Sequence, residues 1–217
     1  HRKEKPNHPI RRVQFQPSID DLQVITLMRD SIAPDNKITT VLSKRGNRKD
    51  TVKLRLANTY MVKVLMNNYN IYPRKTYDKT FRFPTMDKQF RRHFIRGYFD
   101  GDGCISYTEK SKSTSFIGTF DFLTELSNYL PRKDKKFTKD KRWLDNTYSL
   151  QFSKIDSVNL LNYLYLNCNI YLDRKYNLFQ KFAVHFGDNM DYYRSNSEKA
   201  LATRYANSEV NSQITKG

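Results

Sequence analysis

Cysteine is almost absent from this 217-residue chain, which contains only Cys104 and Cys168. The two residues have neither the CxxC spacing nor the neighbouring histidines of a zinc site. We therefore expect neither a structural zinc ion nor a disulfide framework. A reducing intracellular compartment fits this composition, and bacterial or phage cytoplasm and an organelle remain open as alternatives.

Long apolar runs are also missing. No stretch approaches the roughly 18 consecutive apolar residues of a membrane span, and the charged start His1-Arg2-Lys3-Glu4-Lys5 is not followed by the apolar core of a signal peptide. Hydrophobic residues make up 38% of the chain and aromatic residues 14%, which is enough to fill a packed core. We expect a soluble globular protein with no membrane partner.

Acidic residues are too few to balance the basic ones, because 22 Asp and Glu stand against 39 Lys and Arg, a formal net charge of +17. A polyanion is the natural partner of such a chain. The segments 37–55 and 132–142 each contain seven basic residues. A merely solvated basic surface would scatter these residues evenly, so their clustering favours nucleic acid as the partner.

The chain repeats itself at an offset of 99 to 100 residues. Asn70-Ile71-Tyr72-Pro73-Arg74-Lys75 returns as Asn169-Ile170-Tyr171-Leu172-Asp173-Arg174-Lys175. Before each copy lies an alternating segment, 51–56 and 147–152, that is typical of a strand with one polar face. Farther upstream, each copy opens an amphipathic helix with an acidic first turn. Three matches in the same order indicate an internal repeat.

The repeat predicts an α+β fold in which a two-stranded half-sheet with helices occurs twice. Two halves related by a pseudo-twofold axis suit duplex DNA, whose backbone has its own local twofold symmetry. Polar side chains on the outer strand faces would then read base edges in the major groove. Each copy is predicted to contain a strand (10–16; 114–119), a helix (20–32; 121–130), a basic connection, a strand (51–57; 147–153) and a helix (59–69; 156–167).

Between the two copies, a segment combines small residues with two carboxylates: Phe94-Ile95-Arg96-Gly97-Tyr98-Phe99-Asp100-Gly101-Asp102-Gly103-Cys104-Ile105-Ser106. It is predicted to be a short helix that runs into a strand. Gly97 and Gly101 would share one helix face and let a partner helix approach at backbone distance. Such a pair would bring carboxylates and free carbonyl oxygens together, which are the hard ligands that Mg²⁺ needs for phosphodiester hydrolysis.

Two plainer interpretations compete with this one. The sequence Asp100-Gly101-Asp102-Gly103 is also what a simple turn looks like, since Asp-Gly pairs often form turns. An EF-hand loop that starts at Asp100 is discarded, because its sixth position is Ile105 rather than Gly and its twelfth is Ser111 rather than Glu.

The segment Ile95-Arg96-Gly97-Tyr98-Phe99-Asp100-Gly101-Asp102-Gly103 resembles the LAGLIDADG motif of homing endonucleases. Over residues 10–185, the order of strand, helix, basic hairpin, strand, helix and Arg-Lys also resembles that family. The resemblance implies two αββαββα halves related by a pseudo-twofold axis, with saddle-shaped antiparallel sheets on the DNA. It also implies cleavage across the minor groove with short 3′ overhangs, and a mobile element as the source, with an intron, an intein and a free-standing phage gene as open alternatives.

The resemblance assigns roles to the residues of the motif. Asp102 occupies the position of the metal-ligand acid, and Gly101 that of the small residue whose carbonyl lies beside the metal. Asp100 matches the other acid of the motif, which belongs with Gly97 and Gly101 to the helix interface. The implied cofactor is Mg²⁺, with Mn²⁺ or Ca²⁺ as substitutes for binding.

Three further residues match catalytic positions of the family. Lys75 and Lys175 match the basic residue after the last helix of each half, which orients or polarises the attacking water and stabilises charge that develops on the phosphate. Gln16, at the end of the first strand, matches a polar side chain that contacts water. A simple phosphate contact or a solvated side chain is the alternative for each of them.

The expected DNA contacts come from the basic and amide side chains of the strands, hairpins and Arg-Lys pairs. These are Arg11, Arg12, Gln14, Lys37, Lys44, Arg45, Arg48, Lys53, Arg55, Arg74, Lys110, Lys112, Lys135, Lys136, Lys139, Lys141, Arg142 and Arg174.

One expected feature of the pattern is missing from this sequence. Two halves need two motif helices, and the repeat offset places the first at about the start of the chain. The first half, 1–92, would then lack its motif helix, the second half, 93–186, contains the motif at 95–103, and 187–217 is a tail or a linker. A longer natural protein, which would act as a monomer, and a partner chain that supplies the helix are the two explanations.

The leading functional hypothesis is a site-specific endonuclease that hydrolyses both strands of a long, partly asymmetric duplex DNA target with a divalent metal. The first alternative is a protein of the same fold that binds nucleic acid without cutting it, such as an RNA maturase or a transcriptional regulator. The second is a general basic chromatin-type binder, which would show no sequence preference.

Overall fold

The computed structural model describes residues 12–43, 46, 48–73, 81–131, 137–139, 147–153 and 155–187. The chain divides into two compact units between Ile71 and Tyr72. We call His1–Ile71 unit 1 and Tyr72–Gly217 unit 2. No helix in the described part of the chain is both long enough and apolar enough to cross a membrane.

Unit 1 packs a helix against a three-stranded antiparallel sheet in the order β1-β3-β2. In the central strand Val52, Leu54 and Leu56 are buried and form an apolar core with Ile25 of the helix. Residues between them on the strand point to the other face, as the period of two requires. The elements of unit 1 are β1 (Val13–Phe15), a 3-10 turn (Ile19–Asp21), α1 (Leu22–Ile32), β2 (Ile38–Val41), β3 (Thr51–Leu56) and α2 (Thr59–Tyr69).

Unit 2 contains a four-stranded antiparallel sheet in the order β4-β5-β7-β6, and the motif helix α3 leads directly into its edge strand β4. Its core joins Phe116, Leu150 and Phe152 of the sheet to Ile95 and Phe99 of α3, all at most 1% exposed. The elements are α3 (Lys88–Asp102), β4 (Cys104–Tyr107), β5 (Lys112–Gly118), α4 (Phe120–Ser127), β6 (Phe137–Lys139), β7 (Tyr148–Ser153), α5 (Ile155–Tyr165) and α6 (Asp173–Phe186).

The segment before α3 belongs to the aromatic core of unit 2. The Phe81 ring stacks on Phe122 with centroids 4.7 Å apart, and the Phe83 ring lies 4.7 Å from that of Tyr129. The carboxylate of Glu125 also accepts a hydrogen bond from the Phe83 backbone N–H at 2.6 Å. Residues 81–87 therefore fix the N-terminal end of α3 on α4.

The internal repeat is visible in the topology. Strands β1, β3 and β2 of unit 1 follow the same order, with the same antiparallel pairing, as β5, β7 and β6 of unit 2. Helices follow β1 and β3 in unit 1, as helices follow β5 and β7 in unit 2. The expected α+β class with two antiparallel sheets is confirmed.

One detail of the predicted sheets is wrong. The half-sheets are not two-stranded, because the basic connections contain strands β2 and β6, and β4 extends the sheet of unit 2. The short strands escaped prediction because Thr39, Thr40 and Thr138 are exposed and leave no apolar alternation.

Two helices also differ from the prediction. The motif helix is not short but spans 15 residues, since its first two turns are mostly polar and hide the apolar period. Lys175 does not simply follow the last helix, because it lies in the first turn of the 14-residue helix α6. The buried face of α6 was not predicted because it consists of Lys175, Phe179 and Phe182, and a lysine interrupts the apolar pattern.

Candidate active site and DNA-binding faces

The last turn of α3 carries the acid expected to bind metal. Asp102 is the final residue of the helix and is exposed. The helix stops because Gly103 adopts an extended backbone, while its N–H still donates to the Phe99 carbonyl at 2.8 Å. A Cβ at position 103 would lie 2.3 Å from Phe99 Cδ2 and 2.5 Å from Phe99 O, so only glycine fits there.

Lys175 binds the C-terminal end of the motif helix. Its side chain is 3% exposed, and its ammonium donates hydrogen bonds to the Gly103 carbonyl at 2.6 Å and to the Phe99 carbonyl. The ammonium also lies 4.9 Å from the centroid of the Phe99 ring. A cation is favourable here because the last carbonyls of a helix carry partial negative charge.

Burial sets the protonation of Lys175. Burial first, and then the charge of Arg174, lower the pKa of the ammonium to about 8, against the opposing charges of Asp100 and Asp102. The side chain therefore changes charge close to neutral pH, within electrostatic reach of both motif acids.

The second motif acid, Asp100, is bound inside unit 2. The Tyr165 hydroxyl of α5 donates to Asp100 Oδ1 at 2.6 Å. Burial raises the pKa of Asp100, although the Tyr165 hydrogen bond and the Lys175 charge oppose the rise, and burial also raises the pKa of Tyr165. Asp100 thus ties the last turn of α3 to α5 rather than facing solvent.

The glycine face of α3 is open. Gly97 and Gly101 are exposed, and a Cβ built on either would meet nothing within 4 Å. Phe90, 54% exposed, and His93 are exposed toward the N-terminal end of the same helix. Within the described ranges, no three His, Cys, Asp or Glu side chains come together in a group that would hold a metal ion.

A single exposed carboxylate is compatible with a magnesium site that is completed by water and by substrate phosphates. Mg²⁺ usually keeps several waters and is bound by one or two carboxylates together with substrate phosphates. Asp102 at a helix C-terminus, beside backbone carbonyls, offers such a partial ligand set. A second acid and a phosphate would have to come from outside the residues described here.

The outer face of the sheet in unit 1 carries polar side chains that are joined by hydrogen bonds. Arg55 Nε donates to Gln14 Oε1 at 2.9 Å, Gln14 Nε2 donates to Gln16 Oε1 at 2.9 Å, and Gln16 Nε2 donates to Thr51 Oγ1 at 3.0 Å. Lys53 lies on the same face between Thr51 and Arg55. Gln16 therefore belongs to a series of hydrogen-bonded side chains on the outer face of the sheet.

The outer face of the sheet in unit 2 differs in chemistry. Its strand positions carry hydroxyl or amide groups, with Cys104 and Ile117 as exceptions. Among the expected DNA contacts, Lys112 at the hairpin donates to the Thr108 carbonyl at 3.2 Å, and Lys110 and Lys139 are exposed. The polar positions are Ser106, Ser113, Ser115, Thr138, Ser149, Gln151 and Ser153.

The remaining expected contacts fall into two groups. Arg12, Lys37, Arg48 and Arg174 are exposed. The others lie outside the described residues, as does the expected tail from residue 188 onward. They are Arg11, Lys44, Arg45, Arg74, Lys75, Lys135, Lys136, Lys141 and Arg142.

Comparison with known proteins identifies the fold. No protein-family model and no curated protein matches the chain. Among solved structures, the I-SmaMI LAGLIDADG homing endonuclease bound to cleaved DNA matches with a TM-score of 0.53 and 9% identity, over 89% of this chain and 84% of that one. A double mutant of I-SmaMI gives 0.51 and 10% identity, over 89% and 86%. The chain has the LAGLIDADG homing-endonuclease fold.

A third solved structure is similar to the chain, I-DmoI in complex with DNA and Ca, with a TM-score of 0.49 and 14% identity over 78% of this chain and 83% of that one. The resemblance of residues 95–103 to the LAGLIDADG motif is matched by the fold that the chain shares with I-SmaMI. In this chain the motif forms the second half of α3 and ends at the edge strand of the sheet in unit 2.

Sequence reasoning missed three residues that support the LAGLIDADG helix. Arg96, 7% exposed, donates to the Leu164 carbonyl at 3.4 Å, and Arg92 donates to the Leu166 carbonyl, so both satisfy the C-terminal end of α5. Tyr165 holds Asp100. A basic or aromatic residue among polar neighbours gives no sign in the sequence that its side chain is buried. The contacts of Arg92, Arg96 and Tyr165 could therefore not be predicted from the sequence.

Proposed function

We propose that this chain is the DNA-recognition and catalytic part of a site-specific endonuclease that cuts duplex DNA with Mg²⁺. The observation that carries the proposal is the position of Asp102. Its exposed carboxylate ends a motif helix whose glycine face is open, in a chain with the LAGLIDADG homing-endonuclease fold. A helix that had only to pack in the core would gain nothing from two exposed glycines, which weaken it.

Asp102 and the Gly101 carbonyl would hold the cation. A divalent ion there supplies Lewis acidity at the scissile phosphate and favours ionisation of a water nucleophile. Mn²⁺ or Ca²⁺ would serve for binding in its place. The partial negative charge at the C-terminus of α3 adds to the attraction, although Lys175 offsets part of it.

A second motif helix would complete the site. It would pack on Gly97 and Gly101 at backbone distance and bring a second carboxylate beside Asp102. A segment upstream of this sequence and a partner chain are both able to supply it. Asp100 and Tyr165 would keep the last turn of α3 rigid enough for the two acids to share the phosphate.

Lys175 has one ammonium proton beyond the two donated to Phe99 and Gly103. We assign that proton to an oxygen of the phosphate or of the attacking water, where it would stabilise developing charge. Its two carbonyl bonds fix its position relative to the end of α3. Lys75 would have the equivalent role in the first half.

Duplex DNA is the proposed partner because of the net charge of +17 and the polar outer faces of the sheets. The major groove of DNA admits a β-ribbon, whereas the major groove of duplex RNA is too deep and narrow for side chains to read. The similar I-SmaMI structure is bound to cleaved DNA. Two non-identical units would produce a long, partly asymmetric site.

The variant Asp102→Asn tests the proposal. Wild-type protein is incubated with Mg²⁺ and a randomised duplex library. The broken ends and the protein-bound duplexes are then sequenced separately. We expect the variant to lose cleavage and to keep binding, because the substitution removes a cation ligand and no DNA contact. Glu109→Gln, at the exposed β4–β5 turn, is the matched control and should cut like the wild type.

The outcomes separate the alternatives. Sequence-selective binding without breaks in the wild type would indicate a non-cleaving regulator or an RNA maturase. Binding without sequence preference would indicate a general basic binder. Unchanged cleavage by Asp102→Asn would remove Asp102 from the mechanism.

A further inference from the structure

The hydrogen-bonded side chains on the sheet of unit 1 have a fixed direction. Arg55 can only donate, so Gln14 must turn its Oε1 toward Arg55 and its Nε2 toward Gln16. Gln16 must then present Oε1 to Gln14 and Nε2 to Thr51. The guanidinium of Arg55 therefore determines the orientation of both amides. The strand register brings Arg55 and Gln14 together, since the two residues are directly paired across β1 and β3.

This arrangement leaves the end of Arg55 available to a ligand. Its Nε is bonded to Gln14, whereas within the described residues neither Nη atom has a partner. Two parallel N–H donors at the end of an arginine match the O6 and N7 acceptors of guanine in the major groove. The Gln14 contact restricts the rotation of the guanidinium and so lowers the entropy that binding would cost.

The corresponding face of unit 2 has no such reader among its described strand positions. Serine and threonine hydroxyls both donate and accept, so they hydrogen-bond to any base edge with little discrimination. Gln151 is the one amide there, opposite Ser115 in the register of β5 and β7. At their described positions, the three strands that the two sheets have in common therefore differ in their capacity to distinguish bases.

We propose that Arg55 reads a guanine, with Gln14 and Gln16 as positioning residues that hold Arg55 in place. The inference rests on the proposed function, because it assumes that the sheets lie on duplex DNA. It also assigns Gln16 to base recognition through Arg55 and not to the attacking water.

Binding selection tests the inference without cleavage. Wild type, Arg55→Ala, Gln16→Ala and the control Gln151→Ala each select from a randomised duplex library in the absence of divalent cations, and the bound sequences are compared. The wild-type motif should contain a guanine whose preference falls about 10- to 100-fold in Arg55→Ala. The preference for the same guanine should fall several-fold in Gln16→Ala and should not change in Gln151→Ala.

The readout distinguishes the inference from the function on which it rests. If the wild type selects no sequence, the proposed function fails. If it selects a motif in which no guanine responds to Arg55→Ala, only the assignment of Arg55 fails. If Gln16→Ala changes the cleavage rate on the selected site but not the guanine preference, Gln16 is not a positioning residue. Equal competition by duplex RNA would also overturn the inference.

Discussion

The buried ammonium of Lys175 makes the stability of unit 2 depend on pH in a defined direction. Burial lowers its pKa to about 8, compared with 10.5 for an ordinary lysine. The unfolded chain therefore holds the proton up to a higher pH than the folded chain does, so stability rises with pH between these two values. From pH 7 to pH 9.5 the rise amounts to about 2 kcal/mol in the free energy of unfolding.

The variant Lys175→Met isolates this contribution, because methionine keeps most of the apolar stem and cannot ionise. Urea denaturation followed by circular dichroism, at several pH values from 7 to 9.5, gives the free energy of unfolding. From pH 7 to pH 9.5, the free energy of unfolding of the wild type should increase by about 2 kcal/mol relative to that of Lys175→Met. Lys181→Met, at an exposed position of the same helix, is the control for replacing a lysine by methionine.

The structure also gives the size of the effect at pH 7. Without the ammonium, the Gly103 carbonyl loses its donor, which costs about 1–3 kcal/mol. The Phe99 carbonyl keeps the Gly103 N–H, and the cost of burying the charge disappears. We therefore expect a net change of under about 2 kcal/mol at pH 7. Parallel pH curves for wild type and Lys175→Met would show that the folded chain does not disfavour the charged Lys175 side chain.

The range stops at pH 9.5 because of two tyrosines. Burial raises the pKa of both Tyr98 and Tyr165. Their contribution to stability is complete below pH 10 and is lost as the pH rises further, since the unfolded chain ionises first. Above pH 10 the two effects would have opposite signs.

Four further outcomes are expected. Tyr165→Phe should lower the free energy of unfolding by about 2 kcal/mol, because Asp100 loses its donor, as measured by urea denaturation. Gly103→Ala should lower the free energy of unfolding by about 1–3 kcal/mol, because the added methyl group collides with Phe99. Gly101→Ala should instead stabilise the helix by up to about 1 kcal/mol. It should still impair cleavage, because the added methyl group would separate the paired helices. DNA affinity in filter binding should fall about 1,000-fold between 50 and 200 mM salt.

Strong alternation made some elements predictable. The strand predicted at 51–57 is Thr51–Leu56, and the helix predicted at 59–69 has those bounds, because Val52, Leu54 and Leu56 alternate clearly and Asn58 caps the helix. The motif was also recognisable, since glycines four residues apart beside two acids are an unusual pattern. These features depend on local sequence, which a single chain reveals.

Other features depend on contacts between distant residues. That Lys175 binds the end of α3 requires α6 to pack beside it, 72 residues away from Gly103 along the chain. That Gln16 joins Gln14 and Arg55 requires the register of β1 on β3. A lysine and a glutamine are exposed in most proteins, so no pattern in the sequence pointed to either arrangement.

Binding of a divalent cation by Asp102 on DNA is central to the proposed endonuclease, and Mn²⁺ measures this binding directly. Mn²⁺ is titrated into the complex of protein and selected DNA, and the free ion is quantified by electron paramagnetic resonance, with the same DNA alone as background. We expect the wild-type complex to take up more Mn²⁺ than the DNA alone does, and we expect Asp102→Asn to lose this additional uptake. Equal uptake by wild type and Asp102→Asn would contradict this expectation.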